Sequence, residues 1–229
     1  IVRFVEPTLS YYPDGGIGRG EFESSQLYQH SVDRFRTEDY VTGRLGMTEF
    51  EFSEVKAEYK TTSTDSKGRR DTDWHTIFDG LMFIADFNKE FRTPVVVLPD
   101  VAERSLGRFG QWLQSKNFAR ADLVKLEDPR FEEEFVVYSD DQIEARYILS
   151  TSLMQRLLDF QQKTAGDVRV SFVNSRVFVA VPTRENLFEP RLLTSLLDAD
   201  MCEEYLEDLL LALGIVGDLD LNTRIWTKE

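Results

Sequence analysis

The sequence predicts an α+β fold, in which a curved, mostly antiparallel sheet of about seven strands packs against helices from the C-terminal half of the chain. Three observations carry this prediction. Apolar residues recur in strand-length runs along most of the chain. A capped helical pattern begins at Asp141, and the dipeptide Asn174-Ser175 joins two apolar runs as a two-residue hairpin turn would.

The first part of the chain is predicted to lead from irregular structure into a long strand. Residues 1–20 contain two prolines and four glycines, which favour turns. Within residues 40–60, apolar side chains alternate with polar ones, as in a strand with one buried face. The alternation changes phase between Phe52 and Val55, where a β-bulge would restore the facing of the side chains.

A long hairpin is predicted around residues 61–73, which are polar throughout. Residues 74–87 follow as a second long strand with a kink at Gly80, so the polar segment becomes a charged tip between two strands. The short apolar run 95–98 makes a further strand that ends at Pro99.

The C-terminal half is predicted to alternate strands with helices. The helices are placed at 141–163 and 190–213, and the strands at 131–139, 168–173 and 176–182. Asp141 is followed three residues later by Glu144, which is the spacing of a capping box. Ile143, Tyr147 and Ile148 then fall on one face of the first helix, as an apolar stripe would.

No break in composition divides the chain, so residues 1–229 are predicted to form a single domain whose first 20 residues are irregular. The sequence begins with Ile1 rather than methionine, which leads us to expect that it was excised from a longer protein, and an anchor could precede it. A pleckstrin-homology-like barrel closed by the C-terminal helix is the alternative architecture with a similar number of strands.

Composition and charge limit the classes of partner. Asp and Glu total 41 against 27 Lys and Arg, and the net charge of −14 repels phosphate backbones. We therefore expect no nucleic acid as the main partner, whereas basic proteins or metal ions suit the sign of the charge. A surface that simply confers solubility is the plain alternative. Cys202 is the only cysteine, which excludes an internal disulfide and suits a reducing compartment.

The motifs of common enzyme classes are absent or incomplete. His30 and His75 are the only histidines, too few for a zinc site, and His75 fits a hydrogen-bonded structural role. The glycine-rich segment 15–20 lacks the Lys and Ser or Thr of a phosphate-binding loop. Residues 218–229 lack the sixth-position glycine of a calcium loop. The sequence therefore predicts no catalytic residue, no cofactor and no metal.

Four residues are candidates for ligand binding. Asp86 is an acid inside an otherwise apolar strand, where it could mark a groove or simply the end of the strand. Lys67, Arg69 and Arg70 form the one dense basic cluster. At the tip of the hairpin this cluster could contact anionic headgroups, at about 1 kcal/mol per basic residue, or simply keep the tip soluble.

Several segments together resemble a bacterial family. They are residues 83–89 (FIADFNK), 97–100 (VLPD), 124–129 (VKLEDP), 135–154 and 219–226 (LDLNTRIW). In order and spacing, from about Tyr12 to Trp226, they are similar to the domain-of-unknown-function 3137 family. That family has no assigned activity, so the resemblance implies no catalytic residues. Its members typically place a pair of membrane-spanning helices ahead of this part, which implies a domain held at the cytoplasmic face of a bacterial membrane.

The missing catalytic set and the resemblance together lead us to expect a non-catalytic interaction or scaffold domain with an unidentified protein partner. A lipid- or small-ligand-binding domain that uses the 61–73 hairpin at a membrane surface is the alternative. A hydrolase or metal-dependent enzyme is the third hypothesis, which a deep polar pocket around Asp86 would favour.

Overall fold

The structure is a computed structural model that describes residues 7–64, 70–87, 89–100, 122–164, 167–183, 214–217, 219 and 221. Within these ranges the strands are β1 (Ser10–Tyr12), β2 (Arg34–Leu45), β3 (Thr48–Thr64), β4 (Arg70–Asp86), β5 (Val95–Pro99), β6 (Asp122–Leu123), β7 (Phe135–Ser139), β8 (Arg169–Val173) and β9 (Arg176–Pro182). The helices are α1 (Arg19–Ser24), α2 (Pro129–Glu134), α3 (Gln142–Ile148) and α4 (Thr151–Thr164), and residues 214–217 are also helical.

The described strands form one antiparallel sheet in the order β1-β2-β3-β4-β9-β8-β5-β7-β6. Nine strands correct the prediction of about seven. The two strands that were missed are β1 and β2. The first lies in the segment predicted to be irregular, and the second includes residues 40–45, which were predicted to belong to one long strand over 40–60. The sheet is open, with β1 and β6 at its two edges, and this corrects the alternative of a closed barrel.

Both faces of this sheet are buried. The first face, which we call face A, carries Phe52 and Phe83 and packs against α3 and α4. The second, face B, carries Val55 and Ile84 and is covered by the segment 17–32. Because β3 supplies side chains to two cores, its change of phase needs no bulge, which corrects the bulge predicted between Phe52 and Val55. The irregularities lie instead in β2 and farther along the β3–β4 pair.

β3 and β4 extend beyond the rest of the sheet as a two-stranded arm. The strand β2 accompanies β3 only as far as the pair Arg34–Glu58, and β9 accompanies β4 only from Gly80 onward. The arm comprises the six pairs from Tyr59–His75 to Thr64–Arg70, which have no third strand among the described residues. At about 3.3 Å per residue it is ~20 Å long. The predicted hairpin is thereby confirmed, but the loop predicted over 61–73 is too long, because residues 61–64 and 70–73 are strand. Residues 65–69 lie outside the described ranges.

Gly80 marks the place where β9 stops pairing with β4. Its φ is +152°, and a Cβ at this position would lie 2.3 Å from the Val181 carbonyl oxygen and 2.7 Å from the Thr183 nitrogen. The same close approach allows the Thr183 amide to donate to the Asp79 carbonyl at 3.1 Å. Glycine is therefore required here by both conformation and space.

Two local turn and cap predictions are confirmed. Asn174 and Ser175 have φ values of 51° and 57°, the left-handed pair of a type I′ turn between β8 and β9. Asp141 caps α3, where its Oδ1 accepts hydrogen bonds from the amides of Ile143 at 2.8 Å and Glu144 at 3.0 Å.

The second part of the predicted capping box, in which the Glu144 side chain would bond back to the start of α3, is wrong. The Glu144 carboxylate accepts from the amides of Arg92 at 2.9 Å and Thr93 at 2.7 Å, and also from the Thr93 hydroxyl. Burial acts to raise the pKa of Glu144, but these hydrogen bonds outweigh it and lower the pKa. Glu144 therefore ties the loop before β5 to the helix α3 rather than closing the first turn of α3.

The apolar face predicted for α3 is also corrected. Ile143 is 79% exposed and Tyr147 is 41% exposed, whereas Ala145 and Ile148 are buried. The helix is seven residues long, and of the three residues predicted to form its apolar stripe it buries only Ile148. The strand predicted over 131–139 is shortened as well, because Asp128 caps α2 and β7 begins only at Phe135.

The predicted helix at 190–213 lies outside the described residues. In the part of the chain that the structure describes, no helix is long and apolar enough to cross a membrane.

Candidate functional site

A cleft of about 380 Å³ opens at the end of the sheet opposite the arm. It is lined by Tyr40, Thr42, Glu49, Phe50, Glu51, Ile84, Ala85, Asp86 and Arg176. The volume is near the lower end of the range for ligand pockets, about 300–1,000 Å³. Such a space suits one or a few side chains of a partner better than a large cofactor.

Strand register brings the polar residues of this cleft together. Thr42 is the Cα partner of Glu51, and Glu51 is the partner of Ile84. Two residues farther along β4, Asp86 is the partner of Arg176 at the start of β9. Because side chains alternate along a strand, Glu51, Ile84 and Asp86 all point to face B. Three non-neighbouring stretches of the chain thus build one site.

Tyr40 and Glu51 form the best defined polar contact of the cleft. The tyrosine hydroxyl donates to a carboxylate oxygen of Glu51 at 2.5 Å. Burial, together with this hydrogen bond and the negative charge of Glu51, raises the pKa of Tyr40 to about 12. The hydroxyl therefore stays protonated at neutral pH and holds the carboxylate in place, and it is a poor nucleophile.

Arg176 closes the cleft on the side of α1. Its Nη1 lies 3.0 Å from the Glu21 carboxylate, and its guanidinium lies 5.1 Å from the centre of the Phe178 ring. Glu21 belongs to α1, so this ion pair fastens the helix to the sheet beside the cleft. Both partners are more than one-third exposed, so the pair contributes little to stability, about 0–1 kcal/mol.

The charge of the cleft favours cations. Three carboxylates, those of Glu49, Glu51 and Asp86, line it against the single guanidinium of Arg176. That guanidinium is itself paired with Glu21, so its charge is already partly compensated. A negatively charged depression attracts positively charged groups and raises their local concentration. Among the described residues, no group of three His, Cys, Asp or Glu side chains could hold a metal ion.

Asp86 and Arg70, the two candidate ligand-binding residues that the structure describes, do not form one site. Asp86 lines the cleft. Arg70 lies at the other end of the same strand, 16 residues away, which is about 50 Å for an extended chain. Lys67 and Arg69 lie outside the described residues.

The two histidines lie at the base of the arm. The rings of His30 and His75 both stack on the ring of Tyr59, with centroids 4.0 Å and 4.9 Å from the Tyr59 centroid. His75 Nε2 is also 2.8 Å from the Thr61 hydroxyl oxygen, within hydrogen-bond distance. These contacts give both rings a packing role, and neither residue lines the cleft.

The other motifs considered in the sequence do not add to the cleft. The glycine-rich segment 15–20 packs onto the sheet, where the Ile17 amide donates to the Ser53 hydroxyl at 3.1 Å. A Cβ at Gly16 would lie 1.9 Å from the Thr37 hydroxyl oxygen. Cys202 and almost all of the segment 218–229 lie outside the described residues.

Reasoning from the sequence missed Arg176, Glu51 and Tyr40 as site residues. Arg176 follows the Asn174-Ser175 turn directly, which fixes its place at the start of β9. Nothing local shows that β9 pairs with β4, and only that pairing sets Arg176 opposite Asp86. In the sequence, Glu51 is a carboxylate between two phenylalanines. That pattern is equally typical of an ordinary exposed position on a strand, so it did not indicate a site.

The fold and the cleft define this protein as an antiparallel-sheet α+β domain with a charged surface cleft. The chain belongs to the family described as protein of unknown function (DUF3137), whose model matches residues 76–221, well over half of the chain. The family membership that the sequence motifs predicted is thereby confirmed. No curated protein and no solved structure matches the chain.

Proposed function

We propose that this chain is a non-catalytic interaction domain that binds a basic segment of a partner protein in the Asp86 cleft. The observation that carries the proposal is the set of three carboxylates, Glu49, Glu51 and Asp86, around an open space of about 380 Å³. Carboxylates in a partly desolvated depression bind ammonium and guanidinium groups through charge-assisted hydrogen bonds. A basic partner also suits the net charge of −14.

The geometry supports binding rather than acid–base chemistry. Two carboxylates that work as acid and base need environments that push their pKa values apart. The carboxylates of this cleft lie around an open space, and the one hydroxyl with a raised pKa, that of Tyr40, serves as a hydrogen-bond donor to Glu51. These features suit a fixed acceptor surface for a cation.

The test uses a fluorescent peptide with two basic residues flanked by Gly and Ser, and an acidic peptide of the same length. Binding is measured by fluorescence anisotropy with the wild type and with the double variant Glu49→Gln/Asp86→Asn. The loss of two ion-pair contacts worth about 0.7 kcal/mol each predicts roughly tenfold weaker binding. The double variant Glu133→Gln/Asp159→Asn removes the same charge from exposed positions away from the cleft.

The proposal expects the basic peptide to bind the wild type and the control variant equally, and the acidic peptide to bind neither. Failure of the basic peptide to bind the wild type would refute it. Equal weakening by the cleft variant and the control variant would refute it too, because the attraction would then come from net charge alone.

We also propose that the domain works at the cytoplasmic face of a bacterial membrane. The support is membership of the family, together with the anchored arrangement that the resemblance implies for its members. Fractionation of cells that express the full-length gene product, with protease digestion of spheroplasts and of inverted vesicles, tests this proposal. Recovery in the soluble fraction, or digestion in intact spheroplasts, would refute it.

Lipid binding by the hairpin remains the second candidate, favoured by the projection of the arm and the exposed Arg70. The described part of the arm carries Lys60 and Arg70 against Asp71 and Asp73, so its charges balance. For this reason we favour the cleft. Flotation with anionic liposomes, compared between the wild type and a variant with all three basic tip residues changed to alanine, decides whether the arm binds lipid.

A further inference from the structure

We infer that the segment bound in the cleft presents an arginine, and that the rings of Tyr12 and Tyr40 together with the Glu51 carboxylate select its guanidinium over a lysine ammonium. This inference rests on the proposed function and names the chemical group that the same site takes. Besides the carboxylates, a second feature supports it, which is an exposed aromatic surface next to the cleft.

The aromatic surface is formed by β1 and β2. Tyr12 is the Cα partner of Tyr40, and their ring centroids are 6.1 Å apart with an interplanar angle of 36°. Tyr40 lines the cleft, whereas Tyr12 is 53% exposed beside it. Large exposed aromatic side chains next to a concave site are informative, because most large rings in folded proteins are covered. The two rings thus extend the cleft toward the edge strand.

Ring and carboxylate are held together in this surface. The Tyr40 hydroxyl donates to Glu51 at 2.5 Å, which fixes the carboxylate at the polar end of the ring. A guanidinium is planar and weakly hydrated, and it can stack on a ring while its N–H groups reach a carboxylate in two parallel hydrogen bonds. An ammonium is compact and strongly hydrated, so it gains less from a ring beside an acid.

The protein already contains an occupied example of this arrangement. At the base of the arm, the Arg34 guanidinium lies 4.3 Å from the centre of the Trp74 ring and donates to the Glu58 carboxylate. The hydrogen bond to Glu58 raises the pKa of Arg34, and the reciprocal hydrogen bond lowers the pKa of Glu58. An aromatic ring and a carboxylate on neighbouring strands therefore do bind a guanidinium on this sheet.

The test compares three peptides that differ at a single position, which is arginine, lysine or citrulline, between the same Gly and Ser flanks. Citrulline keeps the shape of arginine without its charge. Dissociation constants are measured by fluorescence anisotropy at one fixed salt concentration. We expect the wild type to bind the arginine peptide about tenfold more tightly than the lysine peptide. The citrulline peptide should not bind measurably.

The variant Tyr12→Leu isolates the ring, because Tyr12 is exposed and its loss leaves the core intact. We expect the preference for arginine over lysine to fall to about twofold or less, while binding of the lysine peptide changes little. Tyr12→Phe should keep the preference. Tyr147→Leu removes another exposed tyrosine, on α3, and should leave the preference at the wild-type value.

Equal binding of the arginine and lysine peptides, with both weakened in Glu49→Gln/Asp86→Asn, would overturn the inference and leave the proposed function standing. A preference for arginine that persists in Tyr12→Leu would overturn it as well. Binding of neither peptide to the wild type would overturn both proposals.

Discussion

Replacement of Gly80 with alanine is expected to destabilise the protein by about 3 kcal/mol, the sum of a strained backbone at about 1–3 kcal/mol and an overpacked contact of similar size. The strain arises because φ is +152°, a conformation that side chains with a Cβ rarely adopt. The added Cβ would meet backbone atoms, the Val181 oxygen at 2.3 Å and the Thr183 nitrogen at 2.7 Å, and these cannot rotate away. The β4–β9 pair would therefore have to separate locally.

The assay is thermal and urea unfolding followed by circular dichroism. For a chain of this length about 2–4 °C is lost per kcal/mol, so Gly80→Ala should lower Tm by about 6–12 °C. The matched control is Gly20→Ala in α1, where nothing lies within 4 Å of the added Cβ. The control should stabilise by about 0.5–1 kcal/mol, because alanine is the better helix former.

The two variants carry the same chemical change, so their opposite signs test the reasoning from geometry. A Gly80→Ala protein within about 0.5 kcal/mol of the wild type would refute it, since surface substitutions usually stay inside that range. If Gly20→Ala lowered the free energy of unfolding as much as Gly80→Ala does, the destabilisation would be a general effect of replacing glycine and not a result of the contacts at Gly80.

Three further predictions concern a cap, a carboxylate and a phenol. Asp141→Ala should lower stability by about 1 kcal/mol in urea titrations, because two amides of α3 lose their acceptor, and an unchanged midpoint would contradict the cap. The pKa of Glu144 is lowered, so its stabilisation is complete above the unfolded-state value of about 4.3 and is lost as pH falls through the folded-state pKa. The cost of Glu144→Gln should therefore shrink from neutral pH toward about pH 3, and a constant cost would contradict this assignment. In alkaline absorbance titrations we expect Tyr40 to ionise near pH 12, an ionisation that should be absent in Tyr40→Phe and occur at lower pH in Glu51→Gln. An unshifted pKa in the second variant would contradict the hydrogen bond.

Features that depend on neighbouring residues were predictable from the sequence. The Asn174-Ser175 turn needs only two residues that tolerate positive φ, and the Asp141 cap needs only a side chain that can reach back to the next amides. The β3–β4 hairpin followed from a polar run between two strand-like segments, although both strands extend into that run at 61–64 and 70–73. In each of these cases the interaction closes within a few residues, so the local pattern determines the structure.

Features that depend on pairing between distant strands were not predictable. The phase change between Phe52 and Val55 suggested a bulge, because a single buried face was assumed, whereas both faces of β3 are covered. The apolar spacing of Ile143 and Tyr147 suggested a buried stripe, although both side chains are exposed. The cleft is the strongest case, since Asp86 meets Arg176 only through the β4–β9 register.

The residues that line the cleft lie on both sides of residue 76, where the family match begins. Asp86 and Arg176 lie inside residues 76–221, whereas Tyr12, Tyr40 and Glu51 lie before them. The family match therefore covers the stretch that holds one wall of the cleft and does not extend to the stretch that holds the opposite wall. Members of the family can share the fold of the matched region and still bind different groups in this cleft. The binding preference of each member therefore has to be determined from the residues that precede its matched region.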